Sequence, residues 1–241
     1  MKAVATKRPR RPVDPQRWAR RQEEILEAAV SLFAEHGFSD TDTQVLADKL
    51  RVGKGTLYRY FPSKQALFLA AVDRVMHKLR ARVNASFEAA DDPLDGIARG
   101  IIAYLEFFAE HPEYVELLIQ ERAQFKDRKK PTYFQHCDAS VERWREFYRS
   151  LIAAGRVRHM PPERITDVIS DLLYGTMFTN YFAGRSKPPQ EQARDILDVV
   201  FNGILSEPER KARNQESGVR NQGSETGHES RPSRLSPASD S

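Results

Sequence analysis

The segment Val52-Gly53-Lys54-Gly55-Thr56-Leu57-Tyr58-Arg59-Tyr60-Phe61-Pro62-Ser63-Lys64 constrains this chain more than any other stretch. Leu57 and Phe61 stand at i and i+4, which gives a short helix one inward face. Thr56, Tyr58, Arg59 and Tyr60 fall mostly off that face, so the helix presents a cation and hydroxyls outward. A second short helix, Thr43 to Leu50, comes just before it, with Asp40, Thr41 and Asp42 offering capping oxygens. Val45, Leu46 and Leu50 are expected to face inward there. Two short helices about a tight turn, the second rich in exposed cations and hydroxyls, have the anatomy of a helix-turn-helix. In that motif the second helix enters the major groove of DNA.

Two details strengthen this reading. Lys54 and Lys64 sit at or near the starts of consecutive helices, where a cation costs roughly 0.3–1 kcal/mol if exposed. A phosphate at each start would account for both. Gly53 and Gly55 leave the backbone bare where something bulky must come close.

The rest of the chain reads as helices. Asp14-Pro15 starts the first one, whose apolar positions Trp18, Ile25, Ala29, Leu32 and Phe33 lead to Gly37 as a left-handed cap, giving about 15–36. Ser63 caps a long helix with Leu67, Ala71, Val75, Leu79 and Val83 inside. Asp91-Asp92-Pro93 opens another, with Ile97, Ile101, Tyr104, Leu105 and Phe108, stopped by His111-Pro112. Helices from Glu113 to Phe125 and from Pro131 to Gly155 follow, separated by a charged loop. From Ile165 to Leu205 the apolar residues wrap nearly all round two helices, so these must be buried on most sides. A dimer seam or a central hairpin within one chain would satisfy that. No alternating strand pattern and no fixed-period repeat occurs, so the fold class is all-α, with about nine helices.

Charge is uneven. Lys2, Lys7, Arg8, Arg10, Arg11, Arg17, Arg20 and Arg21 face only Asp14 in the first 21 residues, which suits an arm on phosphates or in the minor groove, or a solvated tail. After Ser206 only Val219 and Leu235 are large and apolar, too few to offset chain entropy, so a disordered tail is expected. Cys137 is the only cysteine, and no stretch reads as a secretion signal or bilayer span, so a cytoplasmic location is expected. No nucleophile elbow, zinc-protease motif or Walker loop is present, and no enzyme or cofactor is expected. His36, His77, His111, His136, His159 and His228 lack the paired spacing of metal sites, so none is expected, and Cys137 reads as a free buried thiol.

The stretch from Leu46-Ala47 through Lys64 resembles the DNA-binding domain of the TetR (tetracycline-repressor-like) regulators. It does so over about 50 residues, from the first helix, with Gly37-Phe38, to Leu67-Phe68. The resemblance implies a three-helix reading head at 14–63, between a basic arm at 1–13 and a helical ligand-binding and dimerisation domain at 64–205, with the tail at 206–241. It implies a homodimer through helices at about 163–183 and 189–205, whose recognition helices enter successive major grooves roughly 34–36 Å apart on an inverted-repeat operator. Carried over by position, the DNA-contacting set is Thr43, Gln44, Lys54, Gly55, Thr56, Tyr58, Arg59, Tyr60 and Lys64, with Gln44, Lys54 and Arg59 on base edges. A small-molecule effector of unspecified chemistry is implied, within a cavity for which Tyr104, Phe108, Phe125, Trp144, Tyr148, Tyr174 and Phe178 are candidates. Repression released by that effector is the implied mode. Three positions depart from the family pattern. Arg51 occupies the turn where glycine is usual, Gly53 stands where serine is common, and Val45 replaces an acid.

Overall fold

A computed structural model describes residues 14–185, 187–203 and 207–208. The expectations for the arm at 1–13 and for nearly all of the tail lie outside them. Among the described residues the chain is helical throughout: α1 Pro15–Asp40, α2 Thr43–Lys49, α3 Lys54–Tyr60, α4 Lys64–Glu88, α5 Pro93–Glu110, α6 Pro112–Gln124, α7 Thr132–Ala153, α8 Pro162–Ala183 and α9 Pro189–Asn202. None of these helices is long and apolar enough to cross a membrane.

Local chemistry sets the helix starts. Asp14, Asp42, Ser63 and Asp92 each accept backbone N–H bonds from the first turn that follows. Gly37 interrupts α1 as expected, but with φ 76 and ψ 164 it is a kink and not a left-handed cap. The chain runs on helically to Asp40, and Thr41 closes the end by donating its hydroxyl to Gly37 O at 2.6 Å.

The unit that ends at Arg194 contains α1 to α8 and the start of α9; a second compact unit begins at Asp195. In the first, α4 packs along α5 and also meets α1, α6 and α7. Phe33, Phe38, Phe68 and Phe125 join edge to face where α1, α4 and the end of α6 converge. Buried Arg74 of α4 pairs with Glu23 and Glu27 of α1. The helix-turn-helix is therefore anchored through α1 to the helical body.

The inner stripe of α5 is buried as expected, from Ile97 to Phe108. Helix α8 is not. Only Thr166 and Met177 are fully buried on it, Val168 is exposed, and Phe182 is 70% exposed. In the second unit Val199 and Phe201 are likewise exposed.

Candidate nucleic-acid interface

Helix α2 has only two turns, and Thr43, Leu46 and Ala47 form its buried face. Val45 points the other way and is 51% exposed, which corrects the inward position expected for it. A seven-residue helix shows too few repeats for spacing alone to decide which apolar residue is the odd one.

Arg51 forms the turn. Its φ of 52 is the one positive value at a non-glycine position among the described residues. The Val52 amide donates to Ala47 O at 2.9 Å and the Arg51 amide to Asp48 O at 3.0 Å. These two bonds make a Schellman closure with Arg51 in the left-handed position. Arg21 of α1 donates to Leu50 O at 2.8 Å and braces the same turn.

Helix α3 then divides by face. Leu57 and Phe61 are buried, while Gly53, Gly55, Tyr58 and Arg59 are exposed and Lys54, Thr56 and Tyr60 are half-buried. A Cβ built at Gly53 or Gly55 would meet nothing within 4 Å, and neither glycine has a positive φ. Neither backbone geometry nor internal packing requires glycine at these positions.

The motif also holds itself together. Thr43 is buried, and its hydroxyl shares a hydrogen bond of 3.0 Å with the Tyr58 hydroxyl, joining α2 to α3. Tyr60 stacks on Trp18 of α1 with ring centres 4.0 Å apart. Gln44 donates to Asp48 at 2.7 Å. Lys54 pairs with Asp42 at 3.2 Å, and Lys64 donates to Ser39 O at 2.9 Å and lies over the Phe38 ring. Both lysines thus have partners within the fold, which offset the cost of a cation at a helix start without a phosphate. The Asp42 carboxyl is held below its usual value by the Gln44 amide first and by Lys54 next.

The candidate effector residues separate into three groups. Tyr104 and Tyr133 share a hydroxyl hydrogen bond of 3.0 Å, Tyr104 reaches Met177, and Tyr174 lies between Tyr133 and Phe178. Phe108 packs on Tyr104. Burial pushes the Tyr104 and Tyr133 hydroxyls well above the usual tyrosine range, so both stay protonated donors. Phe125, by contrast, belongs to the phenylalanine cluster shared with Phe38 and Phe68. Trp144 packs with Phe87 and Phe147, and Tyr148 with Phe147. The seven candidates did not include Tyr133 or Met177, whose partners lie one to three helices away along the chain.

Residues 25–71, which hold α2, the turn and α3, match the bacterial regulatory proteins of the tetR family. A TetR-type segment therefore stands at residues 25–71. It is 30% identical over 97 residues to the uncharacterized HTH-type transcriptional regulator YuxN of Bacillus subtilis, covering 40% of this chain and 33% of that one. It is 31% identical over 108 residues to the nucleoid occlusion factor SlmA of Actinobacillus pleuropneumoniae, covering 44% and 54%. The match thus spans a third to about half the length of these curated relatives. FadR of Bacillus subtilis, solved in complex with stearoyl-CoA, shares the fold with a TM-score of 0.62 at 16% identity, over 76% of this chain and 99% of FadR. Where the TetR pattern has glycine in the turn, Arg51 supplies the left-handed angle with its closing hydrogen bonds intact. Val45, in place of the TetR acid, simply lies at the surface.

Proposed function

We propose that this protein is a homodimeric TetR-type transcriptional regulator that binds an inverted-repeat operator through α3 and is released by a small-molecule effector. The observation that carries the reading is the division of α3. Two buried anchors hold it down, and two glycines that the fold does not need leave its start open to a close approach. Arg59 and Lys54 are the side chains best suited to base edges, while Tyr58 and Lys64 suit phosphates. Gln44 and Thr56 join them; Thr43 and Tyr60 contribute chiefly by fixing α2 and α3. Residues 14–63 act as the reading head, and residues 64–205 serve effector binding and dimerisation in the cytoplasm.

The dimer reading rests on α8 and α9. Each exposes large apolar side chains, Val168 and Phe182 on the first, Val199 and Phe201 on the second, that a second copy would cover. The effector reading centres on Tyr104, Tyr133, Tyr174 and Phe178, apolar walls with two protonated hydroxyls. FadR makes stearoyl-CoA a rational first probe. An effector of this kind would weaken operator binding by a coupling of about 1–3 kcal/mol.

A gel shift on the DNA upstream of the protein's own gene tests the reading. A discrete, salt-sensitive shift that Arg59→Ala removes supports it. A shift that Arg59→Ala leaves unchanged, in a protein of normal circular dichroism, moves the reading head elsewhere.

A further inference from the structure

Helix α4 carries Asp73 and His77 one turn apart, and α7 brings His136 against them across 63 positions of sequence. His136 Nε2 lies 2.7 Å from one Asp73 carboxylate oxygen, and His77 Nε2 lies 3.4 Å from the other. The two imidazole rings meet edge to face at 4.8 Å. One donor atom from each of the three residues lies within 4.8 Å of the other two. Donors around a tetrahedral ion bound at about 2.0–2.1 Å stand roughly 3.4 Å apart, so side-chain rotations of about an ångström close the set.

The cluster is built unevenly. The His136 side chain is 10% exposed, whereas Asp73 and His77 are half exposed. His136 Nδ1 is buried with no hydrogen-bond partner. Burying an imidazole with one nitrogen unsatisfied costs stability, and an ion pair to a half-exposed carboxylate returns little. That cost stays with Nδ1 whichever partner Nε2 takes. As a ligand set it is sound: one imidazole fixed by burial, a second imidazole and a carboxylate at the surface, and an open side for water.

We propose that Asp73, His77 and His136 bind a divalent transition-metal ion of the zinc or nickel class, bridging α4 and α7. Two imidazole nitrogens and one carboxylate oxygen suit these ions, whereas magnesium and calcium take oxygen donors. Cys137 is not a ligand. It follows His136 in α7, but it is not one of the three residues whose donor atoms converge.

The test is titration calorimetry of the full chain, stripped with chelator, using zinc, nickel and magnesium chlorides. One zinc or nickel ion per chain is expected, with no magnesium binding. His77→Gln should abolish that saturable binding, and cobalt(II) should give visible absorption bands in the wild type that His77→Gln lacks. Cys137→Ser and His159→Gln should bind as the wild type does. His77 is exposed, so its variant keeps the test open even where His136→Gln fails to fold. Absence of saturable binding in the wild type, or binding undiminished in His77→Gln, would overturn the proposal.

Discussion

Gly55 stands in the first turn of α3, where a Cβ would touch nothing of the protein. Glycine within a helix costs roughly 0.5–1 kcal/mol relative to alanine. Gly55→Ala should therefore raise stability to urea by a fraction of that amount and at the same time weaken DNA binding. A stabilised variant with unchanged DNA affinity would show that nothing approaches this backbone. Arg51 poses the opposite case, since its left-handed angle costs a side-chain-bearing residue about 1–2 kcal/mol. Arg51→Gly should remove that strain, offset in part by the entropy of the unfolded chain, for a net gain of up to about 1 kcal/mol in urea unfolding. Sequence showed Arg51 as an anomaly but could not show that the turn keeps both closing hydrogen bonds around it.

Among the elements, α3 depends on Leu57, buried to 1% exposure at its centre. Leu57→Ala should destabilise the chain by about 2–5 kcal/mol and loosen α3, read by urea unfolding and hydrogen exchange. The caps and links of α2 and α5 are sensitive to acid. The Asp42 carboxyl is lowered by the Gln44 amide and Lys54, Asp92 by Arg156 and the Leu94 amide, and Glu110 by Arg82. A carboxyl with a lower value in the folded state binds fewer protons there than in the unfolded chain. Its contribution is whole above the ordinary carboxyl range and is lost as pH falls through the lowered values. Melting temperature should thus hold steady near neutrality and fall below about pH 4. The element boundaries were largely legible because Asp14, Asp42, Ser63 and Asp92 mark the starts and His111-Pro112 and Gly155 mark stops, whereas α1 runs past Gly37 to Asp40. The outward turn of Val45 was not, because two turns of helix define no clear stripe.

At the scale of the whole molecule, contacts between distant helices decided what sequence could not. Phe125, Trp144 and Tyr148 were all plausible cavity residues by type, yet α1 and α4 claim Phe125, and Phe87 and Phe147 take the environment of the other two. His136 gave no sign of its partners Asp73 and His77, because only the packing of α4 on α7 brings them together. The apolar circumference of α8 was legible, and its exposure in the single chain is what the proposed dimer would cover. Phe182→Asp should convert a dimer to a monomer in light scattering and reduce operator affinity with it. A monomeric wild type, or a variant that stays dimeric, would place the seam elsewhere.

The most direct measurement is selection of bound sequences from a random DNA pool by the full chain. Enrichment of an inverted repeat is expected, with half-site centres about 10–10.5 base pairs apart. That enrichment should vanish with Arg59→Ala. A pool that stays unenriched, or one that yields only an unpaired site, would contradict a paired reading head built on α3.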